Sequence, residues 1–268
     1  MSVSDKVVTG AAGFGLFSWL TNKLYGNMTD SAYNKYAKVY EPVSTVSIVI
    51  PAFNEEDYIE ATLRSILSQN ILFKYKDYFE CIVVDNESTD RTPQIAKQYC
   101  QVISAPRGKL NARHAGIKFA SGDIIVSCDA DTYYPPNWLN LLIYHFRKPG
   151  VVAVYSPHLS QGSGLYKIGM IWYANLVHST MSGSSSAFLR NAYFAVNGFN
   201  LSIDQFNRQE IQIEEEMVFP AKLKTLGKVV FELKACCFTS GRHLYIKVER
   251  QERTKSKYAQ EIERGERF

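Results

Sequence analysis

The chain has no C-x-x-C pair, no apolar run as long as a membrane-spanning helix, no internal repeat and no low-complexity tract. Each absence removes a class of protein. Without paired spacing, the five cysteines (Cys81, Cys100, Cys128, Cys236 and Cys237) do not make a zinc site. Most sit in apolar, strand-like runs and read as small buried hydrophobes. An odd number with no framework places the chain in a reducing compartment, on the cytoplasmic side. Charge of one sign is lacking too. The net charge is +4 with acids and bases intermixed, so no basic field argues for nucleic acid. The most apolar stretch, residues 7–20, is shorter than the ~20 residues of a span, and no small-x-small cleavage site follows it. It reads as a segment that touches a membrane surface peripherally, at the cytoplasmic face, or that docks on a partner.

What is present suits a large α/β domain. Residues 46–50 form a continuous apolar run, as a parallel strand covered on both faces requires. Pro51 and Asn54 end it, and residues 55–69 carry helical periodicity through Ile59, Leu63, Ile66 and Leu67. Further strands are expected at 81–84, 101–104, 123–128 and 151–155. Helices are expected from Thr89 or Asp90 onward, over 109–120 with Gly122 closing it, and over 137–148 behind Pro135-Pro136. The later chain is less regular. It offers an aromatic amphipathic helix at 165–178, a small-residue stretch at 183–186, a helix at 214–226 and a strand at 228–233. A charged helix follows at 245–268. The β-α-β alternation predicts a mostly parallel, doubly wound sheet with helices on both faces.

A glycine pattern at Thr9-Gly10-Ala11-Ala12-Gly13-Phe14-Gly15 resembles a dinucleotide fingerprint, and Tyr144-x-x-x-Lys148 a dehydrogenase pair. Only Val7-Val8 precede the glycines as a strand, the last spacing is off by one, and no acid follows at the ribose distance. The dehydrogenase reading is therefore set aside.

The chemistry gathers at strand ends, where open α/β sheets bind ligands. Asn54-Glu55, Asp85 and Asp129-Ala130-Asp131 each follow a predicted strand. Two carboxylates one residue apart can divide tasks, one on a hard cation and the other on a ribose or water. Asp85 is suited to a base N–H or a sugar hydroxyl. Lys109 and Arg113, four apart on one helical face, are suited to phosphates.

The ordered set Val49-Ile50-Pro51-Ala52-Phe53-Asn54-Glu55-Glu56, Val84-Asp85-Asn86-Glu87-Ser88-Thr89-Asp90 and Gly108-Lys109-Leu110-Asn111-Ala112-Arg113-His114-Ala115-Gly116, then Asp129-Ala130-Asp131, resembles family 2 glycosyltransferases. The resemblance implies a GT-A fold over residues 46–240, with a nucleotide-binding half (46–155) and an acceptor-side half (156–240). Residues 1–45 and 241–268 flank it as an apolar linker and a charged helical tail. It implies that Pro51, Ala52, Asn54, Glu55 and Asp85 hold base and ribose, and that Asp129, Ala130 and Asp131 hold ribose, diphosphate and a divalent metal, Mn2+ or Mg2+. His243 would be a further metal ligand. Residues 191–200 would line the acceptor side. The donor would be a UDP- or GDP-sugar and the acceptor a glycan or a lipid-linked molecule. The family's catalytic base falls at Glu216, where an aspartate is usual, with Glu215 and Glu214 adjacent. The processive Gln-x-x-Arg-Trp signature is absent, and Gln251-Glu252-Arg253-Thr254 only echoes it, so the expectation is transfer of a single sugar. Two other readings stay open: a nucleotidyltransferase that makes the activated sugar, and a non-catalytic protein that keeps the fold.

Overall fold

The computed structural model describes residues 44–160, 181 and 183–240. The apolar N-terminal segment with its glycine pattern, the helix expected at 165–178, His243 and the charged tail lie outside the described residues.

All seven residues of Val46–Ala52 (β1) are buried, because this strand lies in the interior of the sheet. Its side chains alternate between two cores. Ile48, Ile50 and Ala52 meet Ile59, Leu63, Ile66 and Trp138 on one face. Val49 meets Leu110, Ile117, Phe188 and Phe219 on the other. Phe79–Asp85 (β2) and Ile124–Cys128 (β4) flank β1 in parallel, and Gln101–Ser104 (β3) adds a parallel edge. The helix Lys109–Phe119 packs on β1 and β2. With Val151–Tyr155 (β6), Ser185–Leu189 (β8) and Lys228–Phe231 (β9), the order is β3-β2-β1-β4-β8-β6-β9. The expected mixed architecture is present: a mostly parallel seven-stranded sheet with helices on both faces.

Three features depart from the pattern read off the chain. First, β8 runs antiparallel between β4 and β6. Its start falls in the small-residue stretch at 183–186, and the Ser185 hydroxyl is satisfied inside: Trp138 Nε1 donates to Ser185 Oγ at 2.8 Å. Second, Gly122 is no left-handed helix cap, since only Gly108, Gly150 and Gly198 among the described glycines have positive φ. It is small because a Cβ there would lie 2.7 Å from Ser47 N and 2.9 Å from Val46 C on β1. Third, the late helix begins at Arg208 rather than at 214. Asn207 caps it, accepting from Gln209 N (3.1 Å) and Glu210 N (3.4 Å). It then widens into a π-turn over Glu214–Val218 before continuing as Phe219–Lys224.

A second sheet of three short strands joins Thr132–Tyr133 (β5), Cys237–Thr239 (β10) and His158–Ser160 (β7). Among the described residues no helix is long and apolar enough to cross a membrane.

Candidate active site

The ladder register sets the strand ends level. Ala52 pairs with Asp85, and Asp85 with Ser104, while Val49 pairs with Ser127 two residues before Asp129. The acids after β1, β2 and β4 therefore share the carboxyl edge, as the alternation predicted.

On the β1–β2 side the two loops are sewn together. Asn54 takes a left-handed backbone (φ 52°), which asparagine tolerates, and its Oδ1 accepts from Thr89 N at 2.8 Å. Its own N–H donates to Ser88 Oγ at 3.1 Å, and Glu55 N to Thr92 Oγ1 at 2.7 Å. Asp85 is buried and accepts from Ser88 N at 3.2 Å. Pro51 and Ala52 are buried within β1, so they shape this edge through the backbone. The Arg107 guanidinium lies 3.5 Å over the Phe53 ring at the same edge.

The β4 end carries a cluster of four charges. Asp129 accepts from Arg113 Nη2 at 2.7 Å and pairs with Lys109 Nζ at 3.2 Å. Arg113 Nη1 also pairs with Glu215 Oε1, and Lys109 Nζ lies 3.7 Å from Glu215 Oε2. Burial alone raises the Asp129 carboxyl; Lys109 and Arg113 outweigh it and hold the group down at about 2. Burial and the neighbouring Arg113 charge push Lys109 down, but the Asp129 and Glu215 carboxylates outweigh them and keep it above its ordinary range. Two cations and two carboxylates balance here.

Asp131 is held differently. Ser240 Oγ donates to Asp131 Oδ2 at 2.5 Å, Thr239 Oγ1 to Oδ1 at 3.4 Å, and Ser240 N to the Asp131 carbonyl at 3.0 Å. These partners stand at and just past the end of β10, 108 and 109 residues away, and no local pattern announces them. Ala130 is buried behind the pair, its carbonyl accepting from Thr62 Oγ1 at 2.8 Å. Tyr134 sits beneath, accepting from Asp129 N at 2.9 Å and donating to Ser184 O at 2.8 Å. His158 lies near both aspartates; burial pushes its imidazole down, against the aspartates' charge, so the ring is neutral near pH 7.

The π-turn separates three consecutive glutamates. Glu214 is buried away from the cluster, accepting from Lys222 Nζ (3.1 Å) and Asn200 N (2.8 Å). Glu215 is buried within it. Glu216 accepts from Gln212 Nε2 at 3.0 Å. Burial pushes the Glu216 carboxyl up, and the charges of Glu215 and Asp129 add to that, against the Gln212 bond. Of the residues at 191–200, Asn200 reaches Glu214 and Tyr193 OH bonds His114 Nδ1 at 2.8 Å.

Among the described residues no three of His, Cys, Asp and Glu gather as a ready metal cage. A nucleotide-bound divalent ion needs only one or two protein carboxylates, with phosphates and water completing its shell. Asp131, oriented by Ser240 and Thr239, meets that requirement. Asp129 adds a second carboxylate, one already shared with two cations. The donor set fits a hard cation of the Mn2+ or Mg2+ kind.

A mostly parallel sheet with acids gathered at its carboxyl edge is the frame of the GT-A glycosyltransferases, and the chain's structural neighbours are of that class. Residues 47–198 match the model of glycosyl transferase family 2, more than half the chain, and the chain belongs to this family. Undecaprenyl-phosphate 4-deoxy-4-formamido-L-arabinose transferase of Pseudomonas fluorescens is 29% identical over 116 residues, 40% of this chain and 34% of that protein. Poly-beta-1,6-N-acetyl-D-glucosamine synthase of Staphylococcus aureus is 25% identical over 247 residues, 82% of this chain and 57% of that protein. Among solved structures, the mannosyltransferase PcManGT from Pyrobaculum calidifontis, in complex with GDP-Man and Mn2+, matches with a TM-score of 0.59. Its identity is 18%, over 82% of this chain and 67% of that one. The matches span only 34%, 25% and 20% of three of the curated relatives. The relatives and neighbours are glycosyltransferases.

Proposed function

We propose that this chain moves one sugar from a UDP- or GDP-sugar to an acceptor hydroxyl, with inversion at the anomeric carbon. The observation that carries the reading is the convergence of Asp129, Asp131, Lys109 and the Glu215–Glu216 turn at the carboxyl edge of a family 2 sheet. Asn54, Glu55 and Asp85 form the side of that edge suited to base and ribose. The Lys109 ammonium, 40% exposed beside Asp129, faces the diphosphate. Asp131 with Asp129 would hold a divalent cation, which offsets the charge of the departing diphosphate; the neighbour's complex with GDP-Man and Mn2+ supports this.

Glu216 is the base in this reading. Its Oε accepts the acceptor hydroxyl's proton as the oxygen attacks. A carboxyl raised above its ordinary range is better matched to that task near neutral pH. Glu214 is committed to Lys222 and Glu215 to Arg113, which leaves Glu216 the most available of the three. The acceptor is a glycan or a lipid-linked molecule met at the cytoplasmic face of a membrane; the lipid phosphate in the Pseudomonas relative's name supports the second.

The test is release of nucleoside diphosphate from candidate donors with Mn2+ or Mg2+. Asp131→Ala should lose metal-dependent turnover, and full activity in that variant would sink the assignment. Glu216→Gln should keep nucleotide affinity and lose transfer. If Glu215→Gln does this instead, the base is Glu215.

A further inference from the structure

Two cations touch the same two carboxylates, and they differ in exposure. Lys109 reaches Asp129 at 3.2 Å and Glu215 at 3.7 Å with 40% of its side chain in solvent. Arg113 reaches Asp129 at 2.7 Å, and Glu215 as well, with 1%. We infer that Arg113 is a positioning residue that braces Asp129 against the Glu215–Glu216 turn and does not touch the donor, and that Gly183 exists to admit it.

The guanidinium spans rather than grips. Nη1 goes to Glu215, and Nη2 goes to Asp129 and toward the Cys128 carbonyl at 3.4 Å. Nε is buried with no hydrogen-bond partner, so this side chain accepts an orphaned donor to hold the bridge. A lysine at position 113 would offer one compact ammonium in place of the two separate nitrogens that meet Glu215 and Asp129. Gly183 supplies the room. A Cβ there would lie 2.0 Å from Arg113 Nη1, 2.9 Å from Cζ and 3.0 Å from Glu215 Oε2. The Gly183 carbonyl accepts from Ser127 Oγ at 2.8 Å, so the loop cannot simply back away. The brace thus joins the end of β4 to a turn 102 residues beyond Arg113, and Glu216 follows the braced residue directly. Its consequence for turnover rests on the glycosyl-transfer reading; the brace itself does not.

Arg113→Lys and Gly183→Ala separate the two roles from Lys109→Met. Calorimetry with UDP and with GDP, each with Mn2+, reads donor-side affinity, and turnover reads alignment. The inference predicts that Arg113→Lys and Gly183→Ala bind the diphosphate within about threefold of the parent. Their kcat falls on the order of a hundredfold, as a displacement near 1 Å produces. Lys109→Met loses roughly tenfold in affinity or more. Equal loss of affinity in Arg113→Lys and Lys109→Met would overturn it, as would an unchanged kcat in Arg113→Lys. If the parent binds neither diphosphate, the transfer reading fails and the brace is judged on stability alone. Melting of Asp129→Asn, Glu215→Gln and the double variant then decides: non-additive losses that become additive in an Arg113→Met background support it, and additive losses in the parent refute it.

Discussion

Asp129 and Glu216 sit a short distance apart in function and are tuned in opposite directions. The Asp129 carboxyl, at about 2, lies below the ~3.9 of an unfolded chain. A depressed carboxyl contributes stability above the unfolded value, and that contribution is lost as pH falls through the folded one. Asp129→Asn should therefore lose on the order of 2 kcal/mol at neutral pH. Its melting temperature should also fall less steeply than the parent's between about pH 5 and pH 2. Glu216 has the other sign. With its folded value raised, its ionised form is disfavoured by the fold, so the carboxylate costs stability at neutral pH. Glu216→Gln should melt no lower than the parent while losing transfer, a trade expected of a residue kept for chemistry. Both residues were visible in the chain as acids at a strand end and in a helix turn. What set their behaviour was not visible. Arg113 meets Glu215 across 102 residues, and Ser240 meets Asp131 across 109, separations at which no spacing rule operates.

Among the elements, those built from apolar runs were legible and those built from small or acidic residues were not. β1, β4 and β6 stand within about two residues of their expected bounds, because interior strands must be apolar on both faces, and the edge strand β3 matches as well. β8 was unread because Ser185 and Ser186 have weak strand preference; inside the sheet the Ser185 hydroxyl accepts from Trp138 and bonds Ser156. The π-turn at Glu214–Val218 has no sequence signature, yet it decides which glutamate faces the cluster. Helix placement on the sheet also depends on close contact. At Gly116 a Cβ would lie 2.4 Å from Val49 Cγ1 and 2.8 Å from Val84 Cγ2. Gly116→Ala should push the Lys109–Phe119 helix off β1 and cost about 1–3 kcal/mol by overpacking, measured by denaturant unfolding. Because that helix carries Lys109, diphosphate affinity should drop with it.

For the whole molecule, the sheet order assigns the work. The parallel half, β3-β2-β1-β4, presents Asn54, Asp85 and Asp129 along one edge. The helical segment between β8 and β9 brings Glu215 to Lys109 and Arg113, and the chain just past β10 of the small sheet brings Ser240 to Asp131. The central claim is that this sheet edge binds a nucleotide sugar through Asp131 and a divalent ion. Thermal unfolding of the parent and of Asp131→Ala, with UDP- and GDP-sugars in the presence and absence of Mn2+, tests it most directly. A ligand at a hundred times its Kd adds about 2.7 kcal/mol to the native state. The account predicts a rise in Tm for one donor series in the parent, dependent on Mn2+ and absent in Asp131→Ala. No shift with any nucleotide sugar, or an equal shift in the variant, would contradict it.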